Sequence, residues 1–264
     1  VARNGAIDYA PERFTTQDFP MHIDLNADLG EGAPHDTELL ALVSSASISC
    51  GVHAGDPDTM AAAIRQALAH GVRIGAHPSF PDREHCGRTR MQLPFAQLRN
   101  HLLYQLGAMN VLVKAQGGRL VHVKPHGALY NQAAEDRQLA EDLVLIVQEF
   151  DASLALVGLA GGELLYTTRQ VGMRFIAEAF ADRRYTSSGT LVPRTDARAL
   201  IHDPQEALAQ SLEIITDGFV TAVDGSRVPV EADTLCLHGD TPEALQFAQT
   251  LRAAFEKAGI EIRG

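Results

Sequence analysis

"LVHVKPHGALYN", residues 120 to 131, is the stretch on which the reading of this chain turns. An apolar strand runs into Lys124 and His126, and a glycine then opens a helical segment. A cation aimed at a protein interior costs several kcal/mol unless it is paired or meets a ligand. Lys124 therefore swings out to water or points at something anionic.

Working outward, the same strand-then-helix step recurs. The runs "HIDLNADLG", "ASISCGVHAG", "VRIGAHP", "LVHVKPHG", "LALVGLAGG", "RFIAEAFADR" and "TLCLHGD" give seven candidate strands. Helical segments lie between them, which is the pattern of βα units around a parallel sheet. "DPDTMAAAIRQALAHG" carries Pro57 and a candidate cap at Asp58 and stops at Gly71. "DTPEALQFAQTLRAAFEKAG" repeats the device with Asp240, Pro242 and Gly259. With no break in composition, residues 21–264 are expected to form a single (β/α) barrel, closed or nearly so, with about seven parallel strands. An open doubly wound sheet is the rival. "FVTAVDGSRVPV" reads as a hairpin turning at Asp224-Gly225. Residues 1–20 are polar and aperiodic, and are expected to be a disordered arm or an extension ahead of Met21.

Composition narrows the function. Hydrophobic residues make up 45% and charged residues 21%, as in ordinary globular chains. A formal charge of -11 argues against non-specific binding to nucleic acid or anionic membrane, while a local basic cluster can still bind a small anion. Cys50, Cys86 and Cys236 are odd in number and contain no C-x-x-C pair, so neither a disulfide framework nor a thiolate zinc site is expected. A cytoplasmic location follows as the simplest expectation. No run is long and apolar enough to span a bilayer, and the opening residues lack a signal-peptide core.

The polar residues gather just after each strand, the edge at which parallel βα folds bind ligands. The first strand brings Asn26, Asp28 and Glu31, the second His53 and Asp56, the third His77, and the fourth Lys124 and His126. Later strands add Glu178, Asp182 and Arg183, then His238 and Asp240. A single loop histidine is most often a hydrogen-bonding residue, but four at the ends of four strands point to a functional cluster. Asp58 and Asp240 fit helix caps as well as catalysts. Glu163 fits a first-turn charge and Cys50 and Cys236 fit small core residues. Gly158, Gly161 and Gly162 in "GLAGGELL" could cradle an anion, although glycines also end strands simply to turn, and neither G-x-x-x-x-G-K-[ST] nor G-x-G-x-x-G occurs. Asp28, His53, His77 and His126 could ligate a divalent ion. With no H-E-x-x-H and no closely spaced histidine pair, no tightly bound metal is expected.

Six segments carry a further signal: "DLNADLGEG", "SISCGVHAGDP", "GAHPSFPD", "VKPHGALYN", "EAFADRRYTSSGTLVPR" and "LHGDTP". Together they resemble the LamB/YcsF family, the A subunit of bacterial 5-oxoprolinase, over residues 22 to 260. The resemblance implies a deacetylase-like TIM-type barrel. It also implies opening of the lactam of 5-oxo-L-proline to L-glutamate, with ATP as co-substrate, accompanied by Mg²⁺, and with two other subunits as partners. Two departures bear on loop packing and substrate fit. Ala33-Pro34 stands where the family usually has Phe-Gly, and Cys86 where it more often has Phe.

On this reading Asp28, Glu31, His53, Asp56, Lys124 and His126 are the catalytic candidates. Asp28, Glu31 or Asp56 would activate water, and His53 or His126 would protonate the leaving nitrogen. Lys124 and Arg183 would stabilise developing oxyanions. Arg88 or Arg194 would grip the substrate carboxylate, and Asn26, His77, Glu178 and His238 complete the substrate- and phosphate-binding set. Two other readings stay open: a metal-dependent amide hydrolase or deacetylase, and a non-catalytic scaffold that binds a small acid.

Overall fold

The computed structural model describes residues 21–238 and 244–264 of the chain. The expectations for residues 1–20 and for Asp240 lie outside the described residues. Strands β1 (His22–Leu29), β2 (Ser45–Ser49), β3 (Arg73–His77), β4 (Leu120–Val123), β5 (Ala155–Leu159) and β6 (Phe175–Phe180) follow in order. A hairpin, β7 (Phe219–Thr221) and β8 (Arg227–Pro229), then leaves the sheet. Strand β9 (Thr234–His238) returns to pair with β6 on one side and β1 on the other, closing a barrel of seven parallel strands. The two-residue β10 (Glu261–Ile262) lies beside the foot of β1. The seven runs read as strands are the seven barrel staves, and the hairpin turns where Asp224-Gly225 places it.

Helices cover the outside: α1 (Asp36–Leu40), α2 (Pro57–Ala69), α3 (Phe95–Ala115), α4 (Gly127–Glu135), α5 (Arg137–Asp151), α6 (Glu163–Gln170), α7 (Pro204–Leu212) and α8 (Ala244–Lys257). The cap of α2 corrects the sequence reading. Asp56, not Asp58, holds the helix start, accepting from Thr59 N at 2.8 Å, while Asp58 sits inside the first turn. Pro57 forces this choice, because its ring suits the first helical position and leaves the residue before it extended.

Side chains alternate across each strand, and the two faces differ sharply. On β1 the outward set is Ile23, Leu25, Ala27 and Leu29, all buried with Ile48 and Ile74 beneath Ile64, Leu102, Val144 and Leu251 of the helices. The alternate set, Asp24, Asn26 and Asp28, faces the barrel interior. Barrels of this type are usually filled by branched apolar residues. Here Ala155, Val157 and Ile176 form only a small apolar cluster, and much of the rest of the interior is polar. Gly75 shows how tightly it is filled, since a Cβ there would overlap the His122 ring.

Candidate active site

Lys124 turns inward. Its backbone continues the β3 ladder, N to Ala76 O at 2.9 Å, and its side chain is only 3% exposed. The ammonium lies 2.8 Å from Asp28 Oδ1 and 2.7 Å from Glu178 Oε1, with Asn26 Oδ1 and Cys236 Sγ each at 3.3 Å. Burial works against this cation, but Asp28, Cys236 and Glu178 outweigh it and hold the Lys124 pKa well above its usual range. Asn26 fixes Glu178 from below, donating to Oε1 at 3.0 Å and to Thr234 Oγ1 at 2.8 Å. Removing one partner of such a buried set leaves an uncompensated charge, a loss of about 3 to 5 kcal/mol.

Beside this triad stand three histidines. Glu31 Oε1 lies 3.0 Å from His53 Nε2, 3.3 Å from His126 Nδ1 and 4.0 Å from His77 Nε2. His126 Nδ1 is 2.9 Å from His77 Nε2, which is itself 3.2 Å from Asp28 Oδ2. The rings of His53 and His126 stack at 3.8 Å, and His77 stands perpendicular to both. Burial raises the Glu31 pKa, but the His53 hydrogen bond and the surrounding imidazoles more than reverse this and bring it to about 2. Burial, followed by the His77 and His53 rings, pushes the His126 pKa well below its usual value, and burial likewise lowers that of His53.

Backbone sets this cluster in place. His126 Nε2 meets the Cys86 carbonyl at 2.8 Å, and Cys86 has a φ of 53°, which non-glycine residues seldom adopt. Gly127 makes the close approach possible: a Cβ there would run into the Gly87 carbonyl, which instead accepts from Ala128 N at 2.9 Å. Asp82 braces the same loop, accepting from Thr89 N at 2.9 Å and His85 N at 3.2 Å. Arg83 then ties it to the β2–α2 loop through the carbonyls of Gly51 and Gly55.

Above the cluster opens a cavity of about 520 Å³. Asp28, Glu31, His77, Lys124 and His126 line it from one side, and Arg88, Arg90, Arg183 and Arg194 from the strand-end loops. Tyr130, Leu159, Phe180 and Leu191 supply apolar wall. Arg183 donates to Val192 O at 2.7 Å, and burial together with Arg194 lowers its pKa to about 10. The protein is acidic overall, yet its main cavity gathers four guanidinium groups.

Of the residues singled out from sequence, Asp28, Glu31, His77, Lys124, His126, Arg88, Arg183 and Arg194 share this cavity. His53 stands behind Glu31. Asn26 and Glu178 lie one layer deeper in the barrel and act on Lys124. Asp56 stands apart, exposed at the start of α2. His238 ends β9, and its side chain lies outside the described residues. Sequence reasoning passed over Arg90, Phe180 and Tyr130. Tyr130 had a signal in its position four residues after His126, one helical turn into α4. Cys236, read as a small core residue, is buried and also touches the Lys124 ammonium.

A closed seven-stranded (β/α) barrel of the deacetylase-like type, with acid, imidazole, ammonium and guanidinium groups converging at its strand ends, defines a small-molecule site of the kind such barrels carry. The chain belongs to the LamB/YcsF family, whose model matches residues 23–264. It is similar to the lactam utilization protein of Thermus thermophilus, at 45% identity and a TM-score of 0.86, covering 92% of this chain and 99% of that one. A family 4 carbohydrate esterase from Streptomyces lividans shares the fold at 10% identity and a TM-score of 0.52, covering 92% of this chain and 91% of that one. Among the described residues no helix is long and apolar enough to cross a membrane.

Proposed function

We propose that this chain opens the lactam ring of 5-oxo-L-proline to L-glutamate, with ATP hydrolysed to ADP and phosphate, as one of three subunits. The carrying observation is the Lys124 ammonium held between Asp28 and Glu178 at the cavity wall, next to the Glu31–histidine cluster. The likeness to a lactam utilization protein supports the choice of substrate class. A cavity of about 520 Å³ is roomy for a five-membered ring, and leaves space for a transferred phosphoryl group.

A lactam is a stable amide, and its carbonyl needs activation. Transfer of the ATP γ-phosphoryl group to the amide oxygen, with ADP leaving, makes the ring carbon electrophilic. Water then adds to that carbon where Asp28 and Glu31 meet the histidines. The carbon–nitrogen bond breaks, an imidazole of the cluster returns a proton to the nitrogen, and a second water hydrolyses the resulting γ-glutamyl phosphate to glutamate and phosphate. Lys124 stabilises charge developing on the oxygens, an effect far stronger in a site that excludes water than in bulk solvent. Arg88, Arg183 and Arg194 hold the carboxylate and phosphoryl groups. Asp56, at the exposed end of α2, has no part in this scheme. ATP, with Mg²⁺, enters as co-substrate.

Formation of glutamate and phosphate from 5-oxoproline and ATP tests the reading. The assembled subunits are expected to release the two products in equal amounts, and this chain alone to release neither. Turnover by the isolated chain at the assembly's rate would remove the dependence on partners. No turnover by the complete assembly would end the assignment.

A further inference from the structure

The hydrogen bonds around the histidines fix where their protons are. A carbonyl oxygen only accepts, so His77 Nδ1, 2.8 Å from Lys124 O, carries a hydrogen. His126 Nε2, 2.8 Å from Cys86 O, carries one for the same reason. In the neutral rings the opposite nitrogens are then bare, and these two, His77 Nε2 and His126 Nδ1, face each other at 2.9 Å. His53 Nε2 donates to Glu31, which leaves its buried Nδ1 with no hydrogen-bond partner. Three electron-pair atoms thus converge, His77 Nε2, His126 Nδ1 and Glu31 Oε1, and Asp28 Oδ2 approaches the His77 nitrogen at 3.2 Å. Such an arrangement repels itself unless a metal ion, or a proton carried by one imidazolium, sits between the atoms.

The spacing fits that cation. Bonds of about 2.0 to 2.2 Å from a zinc-like ion to nitrogen and oxygen place neighbouring ligand atoms roughly 2.9 to 3.5 Å apart. The successive separations are 3.2 Å from Asp28 to His77, 2.9 Å from His77 to His126 and 3.3 Å from His126 to Glu31, while Glu31 and His77, at 4.0 Å, are spaced as ligands across the ion rather than beside one another. Ligating atoms from Glu31, His53, His77 and His126 all lie within 4.8 Å of one another. Because the His53 and His126 rings are parallel and stacked, one ion cannot lie in both ring planes. His53 therefore serves to orient Glu31, the usual arrangement for a ligating carboxylate. All four proposed ligands line the cavity, so the ion's open positions face the substrate space.

We propose that His77, His126, Glu31 and Asp28 bind one divalent transition-metal ion of the zinc or manganese kind, which imidazole and carboxylate ligands suit. This departs from the metal-free site expected from the sequence. The binding site stands on geometry alone, and only the ion's task, polarising the attacking water, rests on the ring-opening reading.

The test needs neither lactam nor nucleotide. Tag-free protein purified without chelator is expected to carry about one metal ion per chain by elemental analysis, as a site of this ligand count holds one ion. Stripping with chelator and adding back Zn²⁺ or Mn²⁺ is expected to raise Tm by several degrees, because the ion binds only the folded state. Glu31→Gln and His77→Gln, checked for folding by circular dichroism, should each weaken binding of the added ion at least about 10-fold. His70→Ala, at the exposed end of α2, should leave it unchanged. Metal-free wild-type protein with no Tm response to either ion would overturn the proposal, as would stoichiometric metal retained in both folded variants. Neither result would touch the lactam assignment, whose own test is product formation.

Discussion

The two ends of the barrel interior are both polar and both buried, but they are built to different ends. At the lower end Asp24 accepts hydrogen bonds from Ser44, Ser45 and Thr234 hydroxyls, each at 2.6 Å, with Arg73 at 3.5 Å. Ser47 closes on His122 at 3.1 Å, and the remaining space, about 10 Å³, has room for about one water. At the upper end Lys124, Glu31 and the histidines face a cavity some fifty times larger by the same measure, 520 against 10 Å³. Buried atoms without hydrogen-bond partners occur at both ends, Glu178 Oε2 and His53 Nδ1 above and His122 Nδ1 and Arg73 Nε below, so the cavity is what separates them. The lower network closes almost entirely on itself. The upper one keeps charge and lone pairs directed at a ligand.

Substitutions can break or sharpen this contrast. The largest effect is expected from Lys124→Met, which should lower the proposed lactam turnover about 10³-fold, the range for deleting an oxyanion-stabilising group. It should also cost about 3 to 5 kcal/mol in urea unfolding by leaving Asp28 and Glu178 buried against each other. Adding Glu178→Gln should restore part of the stability and none of the turnover. Near-normal turnover of folded Lys124→Met would erase the distinction between the ends.

Next comes a pH effect at the lower end. Burial, followed by the Arg73 and Lys124 charges and against the pull of Asp24, lowers the His122 pKa from 6.5 to about 4. Between those values the unfolded chain binds a proton that the folded chain refuses, so stability is full above pH 6.5 and falls as pH drops toward 4. The loss is up to about 3 kcal/mol. Urea unfolding of His122→Gln should lack this fall, and equal pH slopes in the two proteins would place the acid sensitivity elsewhere.

The smallest effect belongs to Asp24→Asn. It exchanges an acceptor for a donor beneath three hydroxyls and should cost roughly 2 kcal/mol of stability. Turnover per folded molecule should stay within about twofold, since the carboxylate does not reach the cavity. A large fall in turnover at intact stability would show that the two ends are coupled.

The fold was legible because each stave alternates. "HIDLNADL" carries Ile, Leu, Ala and Leu for the helices and Asp, Asn and Asp for the interior. Repeated across the strand ends, that pattern also brought most of the site into view. Depth was the hidden quantity: alternation says that Asn26 and Glu178 face inward, but not that they sit below Lys124 rather than in the open cavity. Asp56 looked like its neighbours in sequence because a helix cap and a catalytic acid occupy the same stretch after a strand. The Cys86 carbonyl left no trace at all, since it is backbone, and its contribution depends on a φ of 53° set by the surrounding loop. The same contact decides which nitrogen of His126 is bare, so the sequence could offer Asp28, His77 and His126 as candidate ligands but not the lone-pair directions on which the proposed ion site rests.

Closure of the staves between β9 and β1 carries one last consequence. Thr234 touches Asp24 across 210 residues of chain, and β9 joins β6 to β1. While the polypeptide is still emerging from the ribosome, Asp24 must wait for Thr234 near the far end of the sequence, so the lower network is completed last. A chain clipped before β9 would leave the edges of β1 and β6 without the strand that joins them.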